Sequence, residues 1–482
     1  MQVIDLLVIG GGTSGYMVAS GASQAGLKVI LTEKSHSLGG LSVSSGCVPS
    51  KTMMAISEQI NCANKLRQSG IIKSKLKTNL QKINSKIFKI TDKIKNSTQI
   101  QTLTSKGVKV IFGKCSFIEP NIAVINNEKI KFKQAVIATG SRPIIPDYKN
   151  LDKINFITHE KIFDLDKMPE TLLIVGATMS SLEFAQAFTN FGVKVTVIEH
   201  NNFILEKMDQ ELSWKIYVSL IKMGVTILTG YKIIDCYPIK ENKMLECIDN
   251  QGAKHSLQAE EVLINLGQRP NIEALGLENA AVKFFERGIV VDKKLRTSNK
   301  NIFAIGDVNN LSENFTHIAE HHANVILRNL INKSSKCINN TMIPIVMYTT
   351  PEFAQIGLTE HQAIKKYGQA IKILKFNFSD TDSGIIFENT EGLIKVILHE
   401  AIIIGVSIFG YRASELISEW CVAMQNSMSI KSLANTIRAY PSISVINKRV
   451  ASTGIYSGSF SLPNWKNRGF FAKILPKLLL RS

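Results

Sequence analysis

Residues 3–9 (VIDLLVI) are apolar almost without a break and run into glycines, which predicts a strand buried on both faces. A helix is predicted over 13–25 and a second strand over Leu27–Thr32, a βαβ opening. Residues 47–68 and 77–105 read as helices. In the second of these Leu80, Ile83, Ile87, Ile90 and Ile94 recur at three and four, and lysines at 82, 86, 89 and 93 crowd the other side. Short strands are expected between 108 and 137, and then the opening repeats. Residues 171–175 (TLLIV) form a buried strand, followed by a small-residue turn, a helix to about Asn190 and a strand over Lys194–Ile198. Two copies of one unit about 165 residues apart imply two dinucleotide sites. An Asn-, Ser- and Lys-rich stretch over 332–340 reads as a linker, 341–450 as a further αβ block, and the composition changes again beyond Ser452.

The length of 482 residues fits three ordinary domains, and 45% hydrophobic residues supply a sizeable core. No apolar run reaches the roughly 18 residues that would span a bilayer. The start, MQVIDLLVIGGG, lacks a basic leader and reads as a strand rather than a signal peptide. The formal charge of +18 is mostly lysine. Its reading is a solvated surface and helix face rather than a nucleic-acid footprint. Seven cysteines, at 47, 62, 115, 236, 247, 337 and 421, contain no CxxC pair. That is the usage of a reduced compartment, not of a disulfide scaffold or a zinc site, and no metal ligands are nominated. A cytoplasmic location is expected.

Gly10, Gly12 and Gly15 fit G-x-G-x-x-G between a strand and a helix. Gly10 permits the tight turn, Gly12 lets a diphosphate approach the backbone, and Gly15 lets helix and strand pack closely. The helix amino end then offers free N–H groups and positive dipole. Glu33 closes the second strand 18 residues beyond Gly15, where a carboxylate can accept hydrogen bonds from an adenosine ribose.

Next comes GGLSVSSGCVPSK (39–51), with Gly40 in its opening turn. Here the chain resembles the class I pyridine nucleotide–disulfide oxidoreductases, and within them dihydrolipoamide dehydrogenase, glutathione reductase and, most closely, mercuric-reductase-like proteins. Further matching segments are ATGSRP (138–143), NLGQRPN (265–271), IFAIGDV (302–308), FTHIAEHHA (315–323), YTTPEFAQIGLTE (348–360) and AYPSISVINKRVA (439–451). The resemblance implies an α/β chain with two Rossmann-like domains, for FAD and for NAD, and a carboxyl-terminal α+β dimerisation domain. FAD is assigned to 1–150 with 286–335, NAD to 151–285, dimerisation to 341–450, and a basic tail to 451–482. It implies a homodimer. It places Ala138, Thr139, Gly140, Asp307 and Ala319 around the FAD, with Asp307 on the flavin ribitol. It puts Lys51 by the flavin ring, paired with Glu183, where positive charge favours the reduced flavin.

The departures from that pattern bear on the chemistry. The family has two cysteines five apart; here they are Ser42 and Cys47, and a serine forms no disulfide. The family's partner-supplied His and its helper Glu correspond to Tyr440 and Val445, so protonation by a Glu-assisted His is not supported. Cys47, before Pro49 at a helix start, is either a flavin-stacking thiol favoured as thiolate by the helix dipole, or a small residue left over from a disulfide ancestor.

In the second unit Gly176 stands, but Thr178 and Ser181 replace the second and third glycines, and a β-carbon at 178 should hinder diphosphate approach. Glu199 ends the strand, where it suits a ribose diol and disfavours a 2′-phosphate, so NADH is expected over NADPH. Gly267, in the matching NLGQRPN segment, is the further nucleotide-binding position, and the unit is either an NADH site or a fold kept for architecture.

Residues 460–482 hold five basic residues and no acidic one, interleaved with Trp465, Phe470, Phe471, Ile474, Leu475, Leu478 and Leu479. That composition suits peripheral contact with the cytoplasmic face of an anionic membrane, or packing on a dimer partner.

The expected activity is an FAD-dependent oxidoreductase that passes electrons from NADH to a small acceptor: a quinone, a metal ion or a low-molecular-weight disulfide. Cys47, Lys51, Glu183 and Tyr440 are its expected catalytic residues. The alternative is a flavin-binding protein with little turnover and a structural or interaction role.

Overall fold

The computed structural model describes residues 3–74, 77–96, 100–332, 334–339 and 342–456. Two compact units result. Among the described residues, the first comprises those up to 343 with Met347–Thr350, the second Pro344–Val346 with 351–456. The predicted membrane-contacting tail therefore lies outside the described residues, as do all of 457–482.

The apolar run Val3–Ile9 is the inner strand of a sheet with parallel order 109–112, 29–33, 3–9, 128–137. Strand Ile302–Ala304 also pairs parallel with Glu128–Ile137, and strands 115–119 and 122–125 extend the sheet antiparallel. Leu6, Leu7 and Val8 are each 0% exposed, as expected of a strand covered on both faces. Helices Thr13–Gln24 and Thr316–Ile331 pack on one another beside this sheet.

The repeat of the opening is a repeat of structure. Strands 226–229, 194–199, 171–175, 261–264 and 157–158 form a second parallel sheet, with helix Met179–Asn190 following the Thr171–Val175 strand. An antiparallel sheet of 232–239, 242–248 and 254–259 packs beside it through Cys236, Leu245 and Cys247. A short antiparallel pair, Ser141–Pro143 with Gln268–Pro270, ties the two nucleotide folds together.

The second unit is an antiparallel sheet ordered 352–357, 402–410, 393–399, 371–377, with helices Ala413–Gln425 and Val445–Tyr456. Trp420, fully buried, donates its indole N–H to Asn447 Oδ1 at 2.8 Å, linking those two helices.

Four expectations need correction. Leu275, Leu277, Ala280 and Val282 are buried in the first core, so the chain re-enters the first fold before residue 286. The single helix expected over 77–105 is two helices, Leu80–Lys95 and Ile100–Ser105. Its apolar stripe holds at Leu80, Ile83 and Ile87 but gives out at Ile94, which is 40% exposed, so the far end loses its packing. In the stretch read as a linker, Ile338 is buried in the first core. The boundary at residue 451 falls inside helix Val445–Tyr456, because composition changes after the helix has begun. Among the described residues no helix is long and apolar enough to cross a membrane.

Candidate functional site

Gly10 has φ +107°, left-handed backbone that glycine adopts without strain, and a β-carbon there would stand 2.3 Å from the Ala138 carbonyl oxygen. A β-carbon on Gly15 would stand 1.9 Å from the Gly10 carbonyl oxygen, so this residue sets the helix-to-strand approach. Gly12 differs from both. A β-carbon on it would meet only Gly40 Cα, at 3.8 Å, so the protein itself does not require the missing side chain. Gly12 is the N-cap of helix Thr13–Gln24 and supplies no side-chain cap, which leaves the first-turn amides to a ligand.

Gly10 and Gly12 line a cavity of about 670 Å³ within the first unit, a volume in the range of cofactor sites. Glu33, Gly40, Cys47, Ala138, Thr139, Gly140, Asp307 and Ala319 line it too. Glu33 is set by two amides: Gly11 N–H donates to Oε2 at 2.7 Å and Ser35 N–H to Oε1 at 2.9 Å. Asp307 accepts from the Ser141 hydroxyl at 2.8 Å, and burial pushes its carboxyl above the usual carboxylate range. A diphosphate at the open helix end, a ribose at Glu33 and a polyol at Asp307 fit these donors and acceptors, so the residues present suit FAD.

Cys47 opens helix Cys47–Gln68, and Lys51 is one turn further along it. Lys51 Nζ lies 2.6 Å from Glu183 Oε2, and the lysine side chain is 33% exposed against 2% for the glutamate. Glu183 Oε1 accepts the Tyr348 N–H at 2.8 Å, and the Tyr348 ring lies under the ammonium, 4.8 Å to its centroid. Both carboxylate oxygens are therefore engaged.

Thr316 was not nominated from the sequence. Its hydroxyl meets Ser42 Oγ at 2.8 Å and Cys47 Sγ at 3.3 Å, and all three residues line the cavity. Ser141 was missed as well. Each is a small hydroxyl inside a quoted segment, and only the distant partner shows its role.

In the second fold Gly176 has φ +95° and Ala177 N–H donates to Glu199 Oε2 at 2.7 Å, the counterpart of Gly11 and Glu33. Gly267, with φ +107°, follows Asn265 at the end of the neighbouring strand, as Gly140 follows Ala138. Thr178 caps helix Met179–Asn190, where the first fold has Gly12. These residues do not line the 670 Å³ cavity.

Tyr440 belongs to the second unit. It is 72% exposed, and its hydroxyl donates to Asp382 Oδ2 at 2.8 Å. Val445 begins the next helix, and its side chain offers no polar atom. Among the described residues no group of three or more His, Cys, Asp and Glu side chains could hold a metal ion.

Comparison with known proteins agrees with this arrangement. Residues 4–324 match the family described as pyridine nucleotide-disulphide oxidoreductase, and residues 343–450 match that family's dimerisation domain. The dihydrolipoyl dehydrogenase of Staphylococcus aureus is 32% identical over 460 residues, covering 94% of this chain and 96% of that protein. The mercuric reductase of Staphylococcus aureus is 28% identical over 441 residues, covering 90% of this chain and 80% of that protein. Among solved structures, the Cu(II) complex of the HOCl-induced flavoprotein disulfide reductase RclA from Escherichia coli has the same fold. Its TM-score is 0.84 at 24% identity, with 94% of this chain and 99% of that chain covered. The chain belongs to the pyridine nucleotide-disulphide oxidoreductase family, flavoprotein oxidoreductases that bind FAD and NAD(H) and carry a dimerisation domain.

Proposed function

We propose that this protein is a homodimeric NADH-dependent flavoprotein that reduces a small acceptor without a redox disulfide of its own. The observation that carries this reading is the wall of the cavity where Ser42 and Cys47 share the Thr316 hydroxyl, a thiol and an alcohol where a disulfide-cycling relative needs two thiols.

When bound, FAD supplies two-electron chemistry, taking a hydride from NADH and releasing electrons to an acceptor. The protein's part is binding and charge. Gly10 and Gly12 open the backbone to the diphosphate, and Glu33 and Asp307 accept hydroxyl hydrogen bonds. Lys51, fixed by Glu183, holds a positive charge one helical turn from Cys47, which favours negative charge developing nearby. Thr316 can donate its proton to the Cys47 sulfur while it accepts one from Ser42, and this orders the thiol without oxidising it. Glu199 favours NADH over NADPH, because a 2′-phosphate would meet its carboxylate. An acceptor that needs no dithiol, such as a quinone, a metal ion or a low-molecular-weight disulfide, suits this wall.

The test is steady-state NADH oxidation by the FAD-loaded protein against a quinone, a metal ion and glutathione disulfide in turn. Turnover with at least one is expected; no turnover with any acceptor would refute the activity. A second reading, a flavin-binding protein with little turnover, is favoured by the Thr178 cap in the second fold. Flavin that saturating NADH leaves oxidised would select it.

A further inference from the structure

The two nucleotide folds of the first unit place their motifs on nearly the same backbone. Gly12 has φ −70° and ψ −175°, and Thr178 has φ −68° and ψ 164°. The preceding glycines have φ +107° and +95°. The following amides, Gly11 and Ala177, each donate to the strand-ending glutamate at 2.7 Å. The chain thus preserves the whole turn twice and changes what fills it.

In the first fold nothing caps the helix. In the second, Thr178 Oγ1 accepts the Ser181 N–H at 3.2 Å and meets Ser181 Oγ at 2.8 Å and Ser180 Oγ at 3.2 Å. Asn265, 4% exposed, donates its amide to Ser180 Oγ at 2.9 Å and to Ser181 Oγ at 3.1 Å. The side chain that stands where Gly12 leaves the helix end open therefore turns its own oxygen back onto an amide of the first turn, and a buried asparagine pins that side chain's neighbours. An amide engaged by its own N-cap gives a phosphate oxygen no new hydrogen bond unless the cap first lets go.

We propose that Thr178 is an intramolecular stand-in for the nucleotide diphosphate, and that it sets this protein's affinity for dinucleotides at the second fold. The proposal rests on the reading of that fold as the NADH site. A dinucleotide is then held chiefly by its adenosine half, through Glu199, and its diphosphate binds only by displacing the Thr178 hydroxyl. Any dinucleotide bearing that diphosphate meets the same barrier. An adenosine without phosphates does not.

Replacing Thr178 with glycine frees the Ser181 amide and removes the side chain at little cost to the helix, since glycine is also accepted at an N-cap. Calorimetric titration of the FAD-loaded protein with ADP-ribose, which carries the diphosphate but no reacting ring, reads the effect directly. Thr178→Gly should bind ADP-ribose at least tenfold more tightly than the native chain. Thr178→Ser, which keeps the cap, should bind it as weakly as the native chain, and adenosine should not distinguish the three. Should the glycine chain fail to fold, Thr178→Ala, which also frees the amide but keeps a β-carbon, should still bind ADP-ribose more tightly than the native chain. ADP-ribose affinity unchanged or weakened in Thr178→Gly, or equal tightening of adenosine, would overturn the proposal. Because ADP-ribose passes no electrons, this outcome is independent of whether NADH reduces the flavin, which tests the proposed activity alone.

Discussion

Lys51 and Glu183 come from different nucleotide folds and meet at 2.6 Å, with the carboxylate buried and the ammonium one-third open. The glutamate sits on the helix that follows the second glycine motif, the lysine on the helix that begins at Cys47. This ion pair therefore orders the charge beside Cys47 and ties the two folds together.

Removing the lysine strands a buried carboxylate. Lys51→Ala should lower stability by about 2 kcal/mol, less than a fully buried pair would lose because solvent reaches the ammonium. It should also slow flavin reduction by NADH at least tenfold. Glu183→Gln keeps an acceptor for the Tyr348 N–H, so it should lose less stability than Lys51→Ala. Thermal denaturation and stopped-flow absorbance of both variants check the ranking.

The Ser42 oxygen and Cys47 sulfur share one hydroxyl and so lie no more than about 6 Å apart, within the range that rotation of both side chains about Cα–Cβ can close. Ser42→Cys should therefore form a disulfide with Cys47 under mild oxidation, titrating two fewer free thiols than its reduced form. An unchanged thiol count would show that the wall does not accommodate the bond.

Asp307 is the carboxylate at the turn following strand Ile302–Ala304, held by Ser141 and lining the cavity. Asp307→Ala should purify with less than about a tenth of the native flavin content, given charge-assisted hydrogen bonds of 1.5–3 kcal/mol. The ratio of flavin absorbance to protein absorbance measures this.

His322 is fully buried on helix Thr316–Ile331 and accepts the Gly306 N–H at 3.2 Å through Nδ1. Burial, with His321 adding to it, pushes its pKa down from the usual 6.5 to about 4. Between those values the unfolded chain binds the proton and the folded chain does not. This contribution to stability is thus present above pH 6.5 and lost as pH falls toward about 4. The melting temperature should fall across that window, and more gently in His322→Asn, which keeps an acceptor for Gly306 but cannot titrate there.

Local patterns made the nucleotide folds legible. An unbroken apolar strand, three glycines and an acid at the next strand's end describe a continuous stretch of chain, and both copies fold as read. Glu33 and Glu199 even bond equivalent amides. What stayed hidden joins residues far apart in sequence. Thr316 reaches Ser42 and Cys47 across some 270 residues, and Leu275 to Val282 return to the first core from what reads as the second domain. The Thr178 cap was half visible: its β-carbon reads as an obstacle, but only the fold shows the hydroxyl holding the Ser181 amide.

Anaerobic titration of the purified, FAD-loaded protein with NADH tests the central claim most directly. One equivalent of NADH per flavin should bleach the visible flavin band. Flavin that stays oxidised in excess NADH, or protein that binds no flavin when incubated with it, would contradict the account.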